Sequence, residues 1–268
     1  MIVSHAHKFI FLKTRKVAGT SMEIALSRYV GPNDIVTPIS EEDEALRTSL
    51  GYAGPQNCVP NAGAGRSDDT RDTFKNQFAR KWSGWFPILA RAQSQNNIGN
   101  ASFDGAVAGD EKFRNHMSAG KVRALLGKRL FKTYLKVSIV RNPYDKTVSA
   151  YFWANRNRAR KSKEHFREWL LSRVAMNKDQ KVTHIKNKSI IDFMIRFEHF
   201  EKDVTKFAEL TGLPTTLYAE FRSLSAKGQN RPKDMTTAFM FDDFPEGRKR
   251  IEEVFSEDIA KFGYSCPQ

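Results

Sequence analysis

Twice in this chain a short apolar run edged by cations passes into a polar turn and then into a helix-forming segment. Lys8-Phe9-Ile10-Phe11-Leu12-Lys13 is the first run, and Ser21 to Tyr29 is the helix that follows it. Lys136-Val137-Ser138-Ile139-Val140-Arg141 is the second, with a helix from Pro143 through Ser149 to about Asn155. Runs this short and this apolar suit strands buried on both faces. Met22, Ala25, Leu26 and Tyr29 fall on one helical face. Asn142-Pro143 breaks the second strand, and the fixed φ of Pro143 fits the first turn of a helix. Asp192 to Phe197 reads as a third strand, and Phe200 to Leu210 as a helix closed by Thr211-Gly212. Glu246 to Phe262 reads as a last amphipathic helix, with Ile251, Val254, Phe255, Ile259 and Phe262 in register. Strands alternating with helices predict an α/β fold, a parallel sheet flanked by helices.

Charge narrows the function classes. The 268 residues carry a formal net charge of +14. Residues 113–200 hold 21 basic and 6 acidic side chains, so nearly all the excess sits in one third of the chain. That points to an anionic partner: nucleic acid, a phosphorylated cofactor, an acidic glycan or a membrane surface. Cys58 and Cys266 are the only cysteines, too few for a disulfide framework or a thiolate zinc site. The six histidines are scattered, with no metal-binding spacing, so no metal is expected. No apolar run reaches the ~18 residues of a membrane span. Met1 to Thr14 carries Lys8 and Lys13 and lacks a signal-peptide pattern, so it reads as folded chain. The expected location is cytoplasmic, with peripheral contact to a membrane left open by the charge.

Residues 52–112 break the pattern. They are rich in Gly, Asn, Ser and Asp, with weak periodicity apart from Trp82, Trp85 and Phe86. They are expected to form a loop-rich insertion in a single domain spanning 1–268. Such insertions are either lids or variable surface loops.

Two motifs carry chemistry. Lys13-Thr14-Arg15-Lys16-Val17-Ala18-Gly19-Thr20-Ser21 lies between strand and helix. Unpaired N–H groups and the dipole of a helix start favour an anion there. Gly19 allows close backbone approach, Thr20 and Ser21 add hydroxyls, and Lys16 adds a mobile charge. The lysine precedes the glycine, unlike the G-x-x-x-x-G-K-[ST] loop of nucleotide hydrolases, which disfavours ATP or GTP hydrolysis. The other reading of this stretch is an ordinary capped helix. The second motif is Arg141-Asn142-Pro143-Tyr144-Asp145-Lys146-Thr147-Val148-Ser149. Arg141 ends a strand, the edge where α/β proteins bind ligands, and Ser149 lies two turns into the next helix. Together they could hold one phosphate, the arginine by a forked contact.

Taken together, the motifs resemble those of the sulfotransferases that use 3′-phosphoadenosine 5′-phosphosulfate (PAPS). The resemblance is closest to the carbohydrate and bacterial branch. Lys16-Val17-Ala18-Gly19-Thr20-Ser21 is similar to their 5′-phosphosulfate loop, and Arg141-Asn142-Pro143 with Ser149 to their 3′-phosphate site. Weaker similarity runs through Ile195-Arg196-Phe197-Glu198 and Asp258 to Tyr264, and none covers 52–112. The resemblance implies a P-loop, nucleotide-kinase-like α/β domain that binds PAPS and releases 3′-phosphoadenosine 5′-phosphate (PAP), without a metal. It implies that Arg15, Lys16, Ala18, Gly19, Thr20 and Ser21 cradle the 5′ end. Arg141 and Ser149 would hold the 3′-phosphate, and Arg231 and Lys233 would close over it.

Transfer also needs a base for the acceptor hydroxyl. His116, in Asn115-His116-Met117-Ser118-Ala119, resembles a catalytic histidine segment of related glycan sulfotransferases. A histidine near neutrality suits the task. Ser118 is expected to cap a short helix there. Packing at that helix start is the alternative role for His116. Glu23 ranks second as base, and His5 and His7 are also available. His165 and His184 are expected to face solvent, and His199 to make a structural hydrogen bond. Arg156 to Lys163 is a basic stretch suited to an acidic acceptor, or simply a solvated helix face. Trp82, Trp85 and Trp153 are candidates for stacking on sugar rings or for core packing. The implied acceptor is a hydroxyl of a carbohydrate or glycolipid. A nucleic-acid or polyanion-binding protein without catalysis is the alternative, and it lacks any recognisable nucleic-acid motif.

Overall fold

The computed structural model describes residues 1–59, 112–159, 161–172, 179–224 and 231–268. The predicted strands are present as β2 (Phe9–Phe11), β4 (Leu135–Val140) and β7 (Phe193–Arg196). They are neighbours in one sheet of order β3-β1-β2-β4-β7, and β2, β4 and β7 pair in parallel. The sheet departs from the expected all-parallel form at one edge. β1 (Ile2–Ser4) runs antiparallel between β2 and β3 (Ile35–Val36). The link from Ser4 to Phe9 is too short for a crossover, so only a hairpin can join the first two strands.

Helices cover both faces. On one face, Phe9, Phe11, Val137, Ile139 and Ile195 pack against α1 (Gly19–Ser27), as do residues of two later helices, Phe200–Thr211 and Leu217–Leu224. Phe9 meets Phe207 edge-on at 5.2 Å, a contact that adds about 1 kcal/mol to burial alone. α1 is buried nearly all round: Glu23 and Ile24 are enclosed as well as Met22, Ala25 and Leu26, while Tyr29 lies beyond its end and is half-buried. Following α2 (Glu41–Ser49), the other face of the sheet carries α3 (Ala119–Leu126) and α4 (Lys128–Thr133). Ser118 occupies the position before α3, but its side chain makes no capping bond.

A third apolar cluster lies beyond the end of the sheet. It is built from α5 (Pro143–Ala154), α6 (Lys163–Leu171) and three C-terminal helices. α5 starts as expected: Asn142 accepts from the N–H of Tyr144 at 3.0 Å, with Pro143 in the first turn. α7 (Gln180–Thr183) and the β5–β6 hairpin (His184–Ile185, Lys188–Ser189) then lead into β7. α8 (Phe200–Thr211) ends at Gly212, which is left-handed at φ 67°. α9 (Leu217–Leu224) follows, then α10 (Thr237–Phe241). The expected final helix is two, α11 (Pro245–Val254) and α12 (Ser256–Phe262), broken at Phe255. Phe255 turns out of helical geometry and is itself buried, so packing overrides the continuous apolar register.

Of the expected insertion over 52–112, only residues 52–59 and 112 are described. Trp82, Trp85, Phe86 and Arg160 lie outside the described residues. Among the described residues, no helix is long and apolar enough to cross a membrane.

Candidate functional site

The C-terminal ends of β2 and β4 bring the two motifs together. Leu12 donates its N–H to Val137 at 2.8 Å, and Ser138 Oγ donates to the Leu12 carbonyl at 2.7 Å. Thr14 Oγ1 donates to the Ile139 carbonyl at 2.8 Å. These bonds fix where the chain leaves β2. It then winds tightly, with Lys16 at φ 60° and Ala18 at φ 59°. Left-handed backbone costs a non-glycine residue about 1–2 kcal/mol, so two such residues in one turn need tertiary support. Val17 supplies it by inserting into the core between them. Such turns aim successive N–H groups into a concavity, an arrangement that cups anions. α1 begins there with no side-chain cap and no acidic residue in its first turn, so its N–H groups and dipole remain available to a negative charge. A Cβ on Gly19 would lie 2.9 Å from Lys13 Cγ, so the turn needs glycine for packing. Thr20 is half-buried, and Ser21 Oγ reaches the Leu224 carbonyl only at 3.5 Å.

Arg141 closes onto this loop. Its Nη1 donates to the Lys16 carbonyl at 3.1 Å, and its guanidinium lies 4.2 Å from the centre of the Phe197 ring. Asp145, one helical turn on, pairs with Arg141 Nη2 at 2.5 Å and also with Arg231 Nη1 at 2.7 Å. Arg231 thus stands beside Arg141, while Lys233 is exposed in the following turn. Asp145, Ser149 and Trp153 are spaced by four and share one stripe of α5. The Lys16 ammonium lies 4.5 Å from the centre of the Trp153 ring. Arg156 lies 4.6 Å from the same ring. Burial first, then the charges of Arg141 and Arg156, lower the Lys16 pKa from 10.5 to about 8.

His116 approaches from the other side of the loop. Its backbone is left-handed at φ 55°, held in place by Asn115, whose side chain donates to the Pro38 carbonyl at 2.6 Å. Its Nδ1 lies 2.9 Å from the Lys13 carbonyl oxygen. A carbonyl only accepts, so the neutral ring carries its proton on Nδ1 and presents a lone pair at Nε2. Burial and the nearby Arg15 charge push its pKa down to about 4. Arg15 does not point freely into the loop. Its backbone N–H and its guanidinium both bond Asp179 at 3.1 Å, and Asp179 also pairs with Lys146 of α5 at 2.8 Å.

The other titratable candidates have other surroundings. Glu23 is fully buried and pairs with the Lys13 ammonium inside the core. His5 and His7 lie at the opposite end of β2, bonded to Tyr134 and to the Thr211 carbonyl. His165 and His184 do not face solvent as expected: the first bonds Tyr151 at 2.9 Å, the second Glu257 at 3.0 Å. Both are half-buried, His165 beside the Tyr151 ring of the preceding helix and His184 beside the Glu257 carboxylate of α12. His199 is exposed at the end of a short 3₁₀ turn.

Three contributors escaped the sequence reading: Asp145, Asp179 and Phe197. Asp145 had a readable signal, an acid four residues after Arg141 at a helix start. Asp179 had none, since its partner Arg15 is 164 residues away.

The family model described as "Sulfotransferase family" matches residues 1–265. A protein of Archaeoglobus fulgidus, described only as uncharacterized, is 35% identical over 105 residues, covering 38% of this chain and 87% of that protein. No solved structure matches the chain. With a cationic loop at one strand end, an arginine from the next strand bonded to it, and a family pattern running almost end to end, the chain belongs to the sulfotransferase family.

Proposed function

We propose that this protein transfers a sulfuryl group from PAPS to a hydroxyl of a carbohydrate or glycolipid, on a nucleotide-kinase-like domain spanning 1–268. The observation that carries the reading is the bond from Arg141 to the Lys16 carbonyl, which joins two motifs suited to opposite ends of one doubly phosphorylated nucleotide. The residues fit that substrate. The uncapped start of α1 and the left-handed turn before it suit the 5′-phosphate, with Ala18, Gly19, Thr20 and Ser21 in the cradle. Arg141, Arg231, Ser149 and Lys233 suit the 3′-phosphate.

The chemistry assigned to the side chains balances. The acceptor oxygen bonds to sulfur as the bond from sulfur to the 5′-phosphate oxygen breaks. The electron pair stays on that phosphate oxygen, and the Lys16 ammonium offsets its growing charge more in the transition state than before it. The acceptor proton passes to Nε2 of His116. Nδ1, tied to the Lys13 carbonyl, keeps the ring in the tautomer that can receive it. Arg15, pinned by Asp179, places a positive charge beside the loop without being its mobile cation.

The test has two arms. Calorimetric titration with PAP and with AMP is expected to show clear preference for PAP, and equal affinity would refute the assignment of the second motif. Incubation with labelled PAPS and a panel of glycans, glycolipids and small alcohols is expected to label a carbohydrate hydroxyl. Labelling confined to simple alcohols would refute the acceptor class.

A further inference from the structure

Arg141 and Arg231 reach the site from different segments, and one carboxylate holds both. Asp145 Oδ2 accepts from Arg141 Nε at 2.7 Å and pairs with its Nη2 at 2.5 Å. Oδ1 accepts from Arg231 Nη1 at 2.7 Å and from the Thr237 hydroxyl at 2.6 Å. The remaining contacts of the two guanidiniums are equally specific. Arg141 Nη1 donates to the Lys16 carbonyl at 3.1 Å. Arg231 Nε donates to the Met235 carbonyl at 2.6 Å, and its Nη2 to Thr237 Oγ1 at 3.1 Å.

A guanidinium has five N–H groups in a rigid fork. Each arginine spends three of them on these contacts. Among the described residues, the two left on each are one on Nη1 and one on Nη2, and either can donate to a phosphate oxygen. Arg231 turns its terminal edge onto Asp145 Oδ1 and Thr237 Oγ1, which are themselves 2.6 Å apart, and Arg141 turns its Nε and Nη2 onto Asp145 Oδ2, so the carboxylate fixes the plane of both guanidiniums.

We infer that Asp145 is a positioning residue for the 3′-phosphate, fixing the planes of the two arginines so that their remaining N–H groups address one ligand. This rests on the nucleotide reading above. Two effects of the carboxylate oppose each other. Its negative charge repels a phosphate, and removing it would raise the net charge of the trio from +1 to +2. Against that, long arginine side chains lose much rotamer freedom on binding, and Asp145 removes that freedom beforehand. The number and directness of the bonds to Asp145 make orientation the larger effect.

The experiment compares wild type with Asp145→Asn, titrating each with PAP and AMP at one salt concentration. Wild type is expected to prefer PAP. The variant is expected to lose PAP affinity about tenfold or more, the usual worth of charge-assisted bonds, with AMP within about twofold. In turnover, KM for PAPS rises more than kcat falls. Unchanged or tighter PAP binding by the variant overturns the inference while leaving the nucleotide reading intact. A wild type that does not distinguish PAP from AMP overturns both. Should Asp145→Asn fail to fold, Thr237→Val removes one donor to Asp145 and one acceptor of Arg231 at smaller structural cost. It is expected to weaken PAP severalfold and AMP not at all, and unaltered PAP binding in that variant also overturns the inference.

Discussion

The ammonium of Lys16 rests against the indole of Trp153, 4.5 Å from the ring centre, on the helix that Arg141 leads into. The contact gives a flexible cation a defined place beside the loop while it stays half-buried among other positive charges. Desolvation and those charges lower its pKa to about 8. The proposed role requires the protonated form. In the free enzyme, kcat/KM is expected to fall as pH rises through about 8, and Lys16→Arg is expected to move that limb upward. Lys16→Ala should lower kcat by about 10²–10³ with an unchanged circular dichroism spectrum. Normal turnover by the alanine variant would remove the leaving-group role.

His116 titrates in the opposite regime. With a pKa near 4 it is neutral at physiological pH, and the acid limb of kcat/KM is expected only as pH falls through about 4. Bound nucleotide adds negative charge nearby and should raise that limb. His116→Asn is expected to cut turnover by about 10² or more with PAP affinity within about twofold, measured by initial rates and calorimetry. A stability effect accompanies it. The unfolded histidine binds a proton from about 6.5 downward and the folded one only near 4. Its contribution is therefore full above 6.5 and lost as pH drops between those values.

Asp179 holds the loop to α5 through Arg15 and Lys146. Burial raises its pKa, but the two cations and the bonds they donate outweigh this, so the net shift is downward from 3.8. The sign follows: the carboxylate stabilises the fold above 3.8, and that stability disappears as pH falls through its lower folded value. Asp179→Ala leaves the largely enclosed Lys146 and the more exposed Arg15 without their carboxylate and is expected to cost about 1–3 kcal/mol. Thermal melts at neutral pH and at pH 3 test this: the gap between variant and wild type should narrow in acid, and a constant gap would count against the ion-pair account.

Gly19→Ala tests the packing of the turn. Alanine is a better helix former, yet its Cβ would meet Lys13 Cγ at 2.9 Å. Crowding is expected to win, with a loss of about 1–3 kcal/mol and weaker PAP binding. A rise in melting temperature would show that the Lys13 stem yields freely.

The strands β2, β4 and β7 and the helices that leave the first two were legible because their signals are local. A short apolar run edged by cations, a proline after an asparagine and a hydroxyl-rich helix start each act within a few residues. The antiparallel β1 was not legible, since Met1 to Ser4 is too short to carry a period. The break at Phe255 was hidden because an intact apolar register reads as one helix.

By itself, the sequence determined the α/β character, the two strand-to-helix turns and the concentration of positive charge that calls for an anionic ligand. Tertiary structure decided how those cations are held. Arg231 joins Arg141 only because both bond Asp145, and Arg15 is turned aside because Asp179 folds onto it from 164 residues away. Glu23 and His116 are both titratable residues near the loop, yet one is sealed against Lys13 and the other bonds the carbonyl of that same lysine through Nδ1. Such pairings depend on the distance between residues remote in the chain, and burial then fixes their charge. Neither quantity is written in local composition or spacing.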